Sequence, residues 1–341
     1  MFFPLLITIA KRQTQALFQQ ADTRTIVGLL FLALPIFLSG CGILSSERLP
    51  QTPGGPAKAT VAKVPFFPQE DLQCGPAALA MVLNWSGVAV QPAELTPEVF
   101  TPGLKGSLQS ALIGAVRRHG RVAYPITGSE AMMAELAAGH PVIVLVNLGL
   151  SWYPKWHYAV VIGFDQERDE VILHSGLTAN EHLRSGVFLN IWKRGEYWGL
   201  LVLPPNRLPN NVAEETWLEA VAGLERAEQW RGAATGYATA QKKWPQSFGA
   251  TMGLGNSRYR LHDLSGAAEA FRRATLLEPE NGMAFNNLAM VLADQGKRKE
   301  ALAMAQRAVE LGGPLLENFK QTLEEIKKKP VSKNNGRKRE K

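Results

Sequence analysis

Cysteine is almost missing from this chain. Its 341 residues include two, Cys41 and Cys74, each in a different motif. One sulfur per motif excludes a disulfide framework and a cysteine zinc site. No Gly-rich phosphate loop is present, and no basic face carries interleaved aromatics, so nothing in the folded part points to nucleic acid. Nothing in the sequence indicates a metal or organic cofactor. Excess charge is also missing from most of the chain. The formal net charge is +7, and the segment Lys327–Lys341, with eight Lys/Arg and one Glu, carries all of it. A tail of this composition reads as disordered, solvated chain.

What is present begins with an address. Lys11, Arg12 and Arg24 precede the apolar run Ile26–Leu38, thirteen residues long. That is the length of a signal-peptide core and short of the roughly 20 residues a membrane helix needs. Leu38-Ser39-Gly40-Cys41 follows and resembles the bacterial lipobox, which implies acylation of Cys41. Gly42, where an Asp would favour inner-membrane retention, implies the outer membrane, facing the periplasm. The expected layout is a signal peptide over 1–40, a Ser/Pro/Gly/Thr-rich tether over 41–62, and a first domain over 63–205.

The first domain mixes two periodicities. Helices are expected over Pro76–Trp85, Ser107–His119 and Glu130–Ala138, the last capped by Ser129. Strands are expected over Pro141–Val146, then a hairpin of Tyr158–Phe164 with Glu170–Leu173 turning at Asp165–Asp169. A second hairpin is expected from Val187–Trp192 with Trp198–Leu203. Helices followed by an antiparallel sheet make an α+β layout.

Cys74 stands where a helix begins, since Pro76 suits a first turn. Free amides and the helix dipole there favour a thiolate, the reactive form of cysteine. A nucleophilic thiol needs a base, and His157 heads the apolar strand His157-Tyr158-Ala159-Val160-Val161. It also needs an oxyanion donor, for which Gln69 is placed with the Cys74 amide. His119, His140, His182 and His262 lack such a setting and read as surface or loop residues. Asp165 reads as a turn former.

Three ordered blocks carry a resemblance: Gln69–Ala78, Leu136–Ile143 and His157–Asp165. Together they resemble the bacteriocin-processing cysteine peptidases, papain-like enzymes that cut double-glycine leaders. The resemblance implies an α+β papain-like fold, with Cys74 as nucleophile, His157 as base and Gln69 as oxyanion donor. It also implies an Asp on the strand after the histidine hairpin. That stretch here is Val171-Ile172-Leu173-His174-Ser175-Gly176, without a carboxylate. His174 falls nearest the Asp position, with Ser175 beside it. A neutral group there can orient His157 but cannot stabilise its cation.

After Pro204-Pro205 a repeat of 34 residues sets in. Trp217, Thr251 and Phe285 share one phase; Ala233, Ala267 and Ala301 share another. Tyr237, Phe271 and Ala305 follow, then Ala240, Ala274 and Ala308. The pattern resembles three tetratricopeptide repeats over 213–314, with a capping helix over 315–329 and the basic tail over 330–341. The expected whole is thus a peptidase-like domain followed by an all-α solenoid that binds a protein partner. The expected function is a lipid-anchored Cys-His peptidase acting on a protein or peptide. The alternatives are a non-catalytic lipoprotein scaffold or assembly factor, and a papain-like acyltransferase or cell-wall amidase.

Overall fold

A computed structural model describes residues 47–51, 54–69 and 72–328. The signal segment, Cys41 and the tail beyond residue 328 lie outside the described residues. Those from Arg48 onward cluster as one compact unit.

Alternation along one long strand organises the first part. In β6 (Trp156–Asp165), Tyr158, Val160 and Ile162 face one side of the sheet, while Ala159 and Val161 face the other. The first side packs on three helices, α1 (Cys74–Trp85), α2 (Pro92–Val99) and α3 (Gln109–Arg118). The second side packs on α4 (Ser129–Ala137) and α5 (Ser185–Lys193). Both faces are therefore apolar, and β5 (Val142–Asn147) reads as a nearly continuous apolar run.

The sheet is antiparallel throughout, in the order β4-β9-β5-β6-β7-β8. Here β4 is Val122–Thr127, β7 Glu170–Ser175, β8 Thr178–Arg184 and β9 Trp198–Leu203. The short β1 (Lys58–Thr60) pairs with the far end of β6, Lys58 opposite Asp165. β2 (Phe100–Thr101) and β3 (Gly106–Ser107) form a separate pair.

One expected hairpin is not formed. Val187–Trp192 belongs to α5, and its intended partner β9 pairs instead with β4 and β5. The buried set Ser185, Phe188, Leu189 and Trp192 is spaced for a helix, which the β-branched content of the stretch obscured.

Residues 214–328 form seven helices: α6 (Glu214–Arg226), α7 (Trp230–Lys243), α8 (Phe248–Arg260), α9 (Leu264–Leu277), α10 (Gly282–Asp294), α11 (Arg298–Leu311) and α12 (Leu316–Lys328). Ala233, Ala267 and Ala301 are fully buried, letting paired helices approach closely, and Tyr237 and Phe271 fill the space beside them. Ser247 and Asn281, one repeat apart, cap α8 and α10 by accepting from backbone amides. Trp217 and Leu224 of α6 share one apolar cluster with Val122 and Val144 of the sheet, so the repeats and the first domain have a common core.

Candidate active site

Cys74 is the first residue of α1, and Gly75 and Pro76 follow it. A Cβ at Gly75 would overlap the Ser107 hydroxyl, so only glycine lets the helix start this close to β3. The thiol is partly buried against the α1–α3 face. Burial pushes its pKa up, against the opposing pull of the backbone amides of Tyr158, Gly75 and Cys74. The expectation of a favoured thiolate is therefore corrected: the helix start supplies its amides, but desolvation outweighs them.

Two of the predicted groups meet at one residue, Tyr158. The Tyr158 amide pulls the Cys74 thiol pKa down, and the Tyr158 carbonyl accepts from Gln69 Nε2 at 3.2 Å. The other end of the Gln69 carboxamide accepts from the Gly176 amide at 3.0 Å, and the Gln69 amide donates to the Gly176 carbonyl at 2.9 Å. β6 and β7 stop pairing at Val160 and His174. Gln69 fills the opening beyond that point as an inserted rung. It is 7% exposed, and its nitrogen has a second N–H to offer. Tyr158 itself is fixed: its hydroxyl donates to the Ser107 carbonyl at 3.1 Å, and its ring meets Trp198 edge-on.

His157 immediately precedes Tyr158. Its Nε2 lies 3.1 Å from Ser175 Oγ. Burial, together with the nearby Lys155 charge, lowers its pKa to about 4, so the ring is neutral at pH 7. Among the described residues no hydrogen bond joins His157 to the Cys74 thiol. Both neighbour Tyr158, His157 along the chain and Cys74 through the Tyr158 amide.

His174 does not meet His157. Side chains alternate along β7, so His174 and Ser175 face opposite ways. The His174 ring lies edge-on to Phe66; its Nε2 is 3.3 Å from the Val64 carbonyl, and its Nδ1 accepts from the Asn180 amide. Ser175, the neighbour of the expected position, is the residue beside the base. His140 also differs from expectation. It is 4% exposed and lies 2.7 Å from Glu135, whose other oxygen accepts from the Asn210 amide. Gly139 ends α4 and turns the next residue inward, which a local reading of the loop does not reveal. Asp165 caps its turn, accepting from Glu167 and Arg168.

A hairpin arm leads into His157. Asn147 Oδ1 accepts from the amides of Gly149 and Lys155, each at 2.9 Å, and Arg194 donates to the Gly149 carbonyl. The arm holds Trp152 and Tyr153 80% and 71% exposed. No group of side chains among the described residues is arranged to hold a metal ion. No helix among them is long and apolar enough to cross a membrane.

An α+β domain with a helix-start thiol, joined to helical repeats, is the class of protein these features define. Residues 61–197 match the Peptidase_C39 like family, and residues 223–275 and 252–314 match the tetratricopeptide repeat. The chain thus carries a C39-peptidase-like domain followed by tetratricopeptide repeats. No curated protein matches it. Among solved structures it is similar to a C39-like peptidase candidate from Bacillus anthracis, at 20% identity over 43% of this chain and 97% of that one, with a TM-score of 0.37. It is also similar to the TPR2B domain of yeast Sti1 in a pHsp70 complex, at 14% identity over 33% and 95%, with a TM-score of 0.33. The third is the translocator chaperone SycD of Yersinia enterocolitica, at 17% identity over 35% and 88%, with a TM-score of 0.33.

Proposed function

We propose that this protein is a cysteine peptidase tethered to the cell envelope. The observation that carries the reading is the convergence of Cys74 and the Gln69 carboxamide on the backbone of Tyr158, one residue from a neutral imidazole backed by Ser175. His157 Nε2 is occupied by Ser175, which leaves Nδ1 to take the thiol proton as the sulfur attacks the scissile carbonyl. The developing oxyanion is met by the second N–H of Gln69 and the Cys74 amide. The C–N bond breaks, the leaving amine takes the proton from His157, and water hydrolyses the thioester.

Because the thiol pKa is raised and that of the ring lowered, the resting pair is neutral. Proton transfer then accompanies attack and does not precede it. Substrate binding has to bring ring and sulfur into hydrogen-bond reach, as catalytic bonds often tighten only in the complex. The repeats recruit the protein substrate or dock the enzyme in an assembly, and acylated Cys41 holds the molecule at the outer membrane, facing the periplasm.

Mapping of new protein N-termini in cells with wild type and Cys74→Ala tests the activity. Wild-type-specific termini are expected; identical maps sink the peptidase reading. Fatty-acid labelling lost on Cys41→Ala tests the anchor. The raised thiol pKa and the missing carboxylate favour a second reading, a binding module that has lost catalysis. It predicts that Cys74→Ala leaves partner capture and cellular phenotype intact.

A further inference from the structure

A cavity that the proposed chemistry does not use lies beside the first turn of α1. It measures about 530 Å³ and is walled by Phe67, Pro68, Gln73, Ala77, Pro92 and Ala93. Phe67 and Pro68 lead directly into Gln69, Gln73 directly precedes Cys74, and Ala77 lies one helical turn beyond it. A chain bound across the sulfur and the Gln69 amide therefore passes its mouth. A peptide with glycines at the bond, which the resemblance to leader peptidases implies, leaves this space empty.

The wall chemistry limits what can enter. Its carbon surface comes from a phenylalanine, two prolines and two alanines, Gln73, Gln91 and Thr96 add polar groups, and none of the described lining residues is charged. A charged side chain placed there would lose water and gain no oppositely charged partner among the described lining residues. Of these polar groups, Gln73 has its Oε1 2.9 Å from Thr96 Oγ1, whose hydroxyl is shared with the Pro92 carbonyl at 3.1 Å, and its carboxamide nitrogen has N–H groups to donate.

We infer that this cavity is a specificity pocket for one uncharged substrate side chain close to the scissile bond, with an apolar stem and an acceptor at or next to its tip, as in glutamine or methionine. The inference rests on the peptidase reading and names its substrate class. A burial of this kind discriminates by about 1–3 kcal/mol, or roughly 10–200-fold.

Cleavage of a positional-scanning peptide library by wild type, Ala93→Phe and Gln73→Leu tests it, with Cys74→Ala as the blank and thermal melts to verify folding. Ala93 is solvent-exposed in the first turn of α2, so the larger ring can point into the cavity without entering the core. Wild type is expected to prefer glutamine or methionine over glutamate or lysine at one fixed position by at least tenfold. Ala93→Phe is expected to shift the kcat/KM ratio between the glutamine and glycine peptides at least tenfold toward glycine. Gln73→Leu is expected to remove the preference for glutamine over leucine. A wild-type preference for glycine, or preferences that Ala93→Phe leaves unchanged, overturns the pocket while sparing the peptidase. Absence of any Cys74-dependent cleavage overturns both.

Discussion

The repeats and the sheet domain build their interiors by opposite rules. In the repeats one solution recurs: Ala233, Ala267 and Ala301 are each fully buried, one unit apart. In the sheet domain each polar contact occurs once. Gln69 bridges Tyr158 and Gly176, and Ser175 meets His157, without a second copy among the described residues. Periodic packing therefore announces itself in the sequence, while a reactive site depends on unrepeated contacts between residues that are far apart along it. The two parts still share one core through Trp217, Val122 and Val144.

The sharpest way to separate the two regions is chemical. Cys74→Ala is expected to lower peptide turnover at least 1000-fold and to leave the helical content of the repeats unchanged, as circular dichroism would read. Trp217→Ala should break the contrast from the other side. The indole is fully buried and donates to the Gly236 carbonyl at 3.0 Å. Its loss should cost about 3–5 kcal/mol. Because its cluster spans both parts, sheet and repeats should melt earlier together; two separated transitions would show that the shared core is not a cooperative unit.

Next in size is an acid effect confined to the sheet domain. The pKa of His157 falls from 6.5 to about 4 on folding. The unfolded chain therefore takes up this proton first, so stability is lost as pH drops through that window and levels off below it. The loss amounts to about 3 kcal/mol. Denaturant titrations of His157→Gln should show a correspondingly flatter pH dependence between those limits. The smallest effect is expected at Ser175. Removing its hydroxyl in Ser175→Ala takes away one neutral hydrogen bond, about 1 kcal/mol or fivefold in kcat. Ser175→Asp should raise the His157 pKa, since an opposite charge at that distance favours the imidazolium; proton NMR of the ring reads it.

Much of this was legible beforehand. Pro76 and the apolar stretch after Cys74 marked α1, and the block His157–Val161 marked the start of β6. The 34-residue spacing marked the helical pairs. Three things were hidden. The helix α5 was masked by β-branched residues whose burial spacing is helical. The partner of His157 lies one residue beyond the position the sequence suggests, because without the strand register His174 and Ser175 cannot be assigned to opposite faces. The thiol pKa was read from the helix start alone, whereas the sheet and helices that bury Cys74 come from distant parts of the chain.

The central claim is that His157 activates Cys74 in the presence of substrate. Its most direct test is the rate at which a peptidyl electrophile alkylates Cys74 at pH 7 in wild type and in His157→Ala. The account predicts a fall of at least 100-fold in the variant, with little change toward a small reagent such as iodoacetamide. Equal rates with the peptidyl reagent would contradict it.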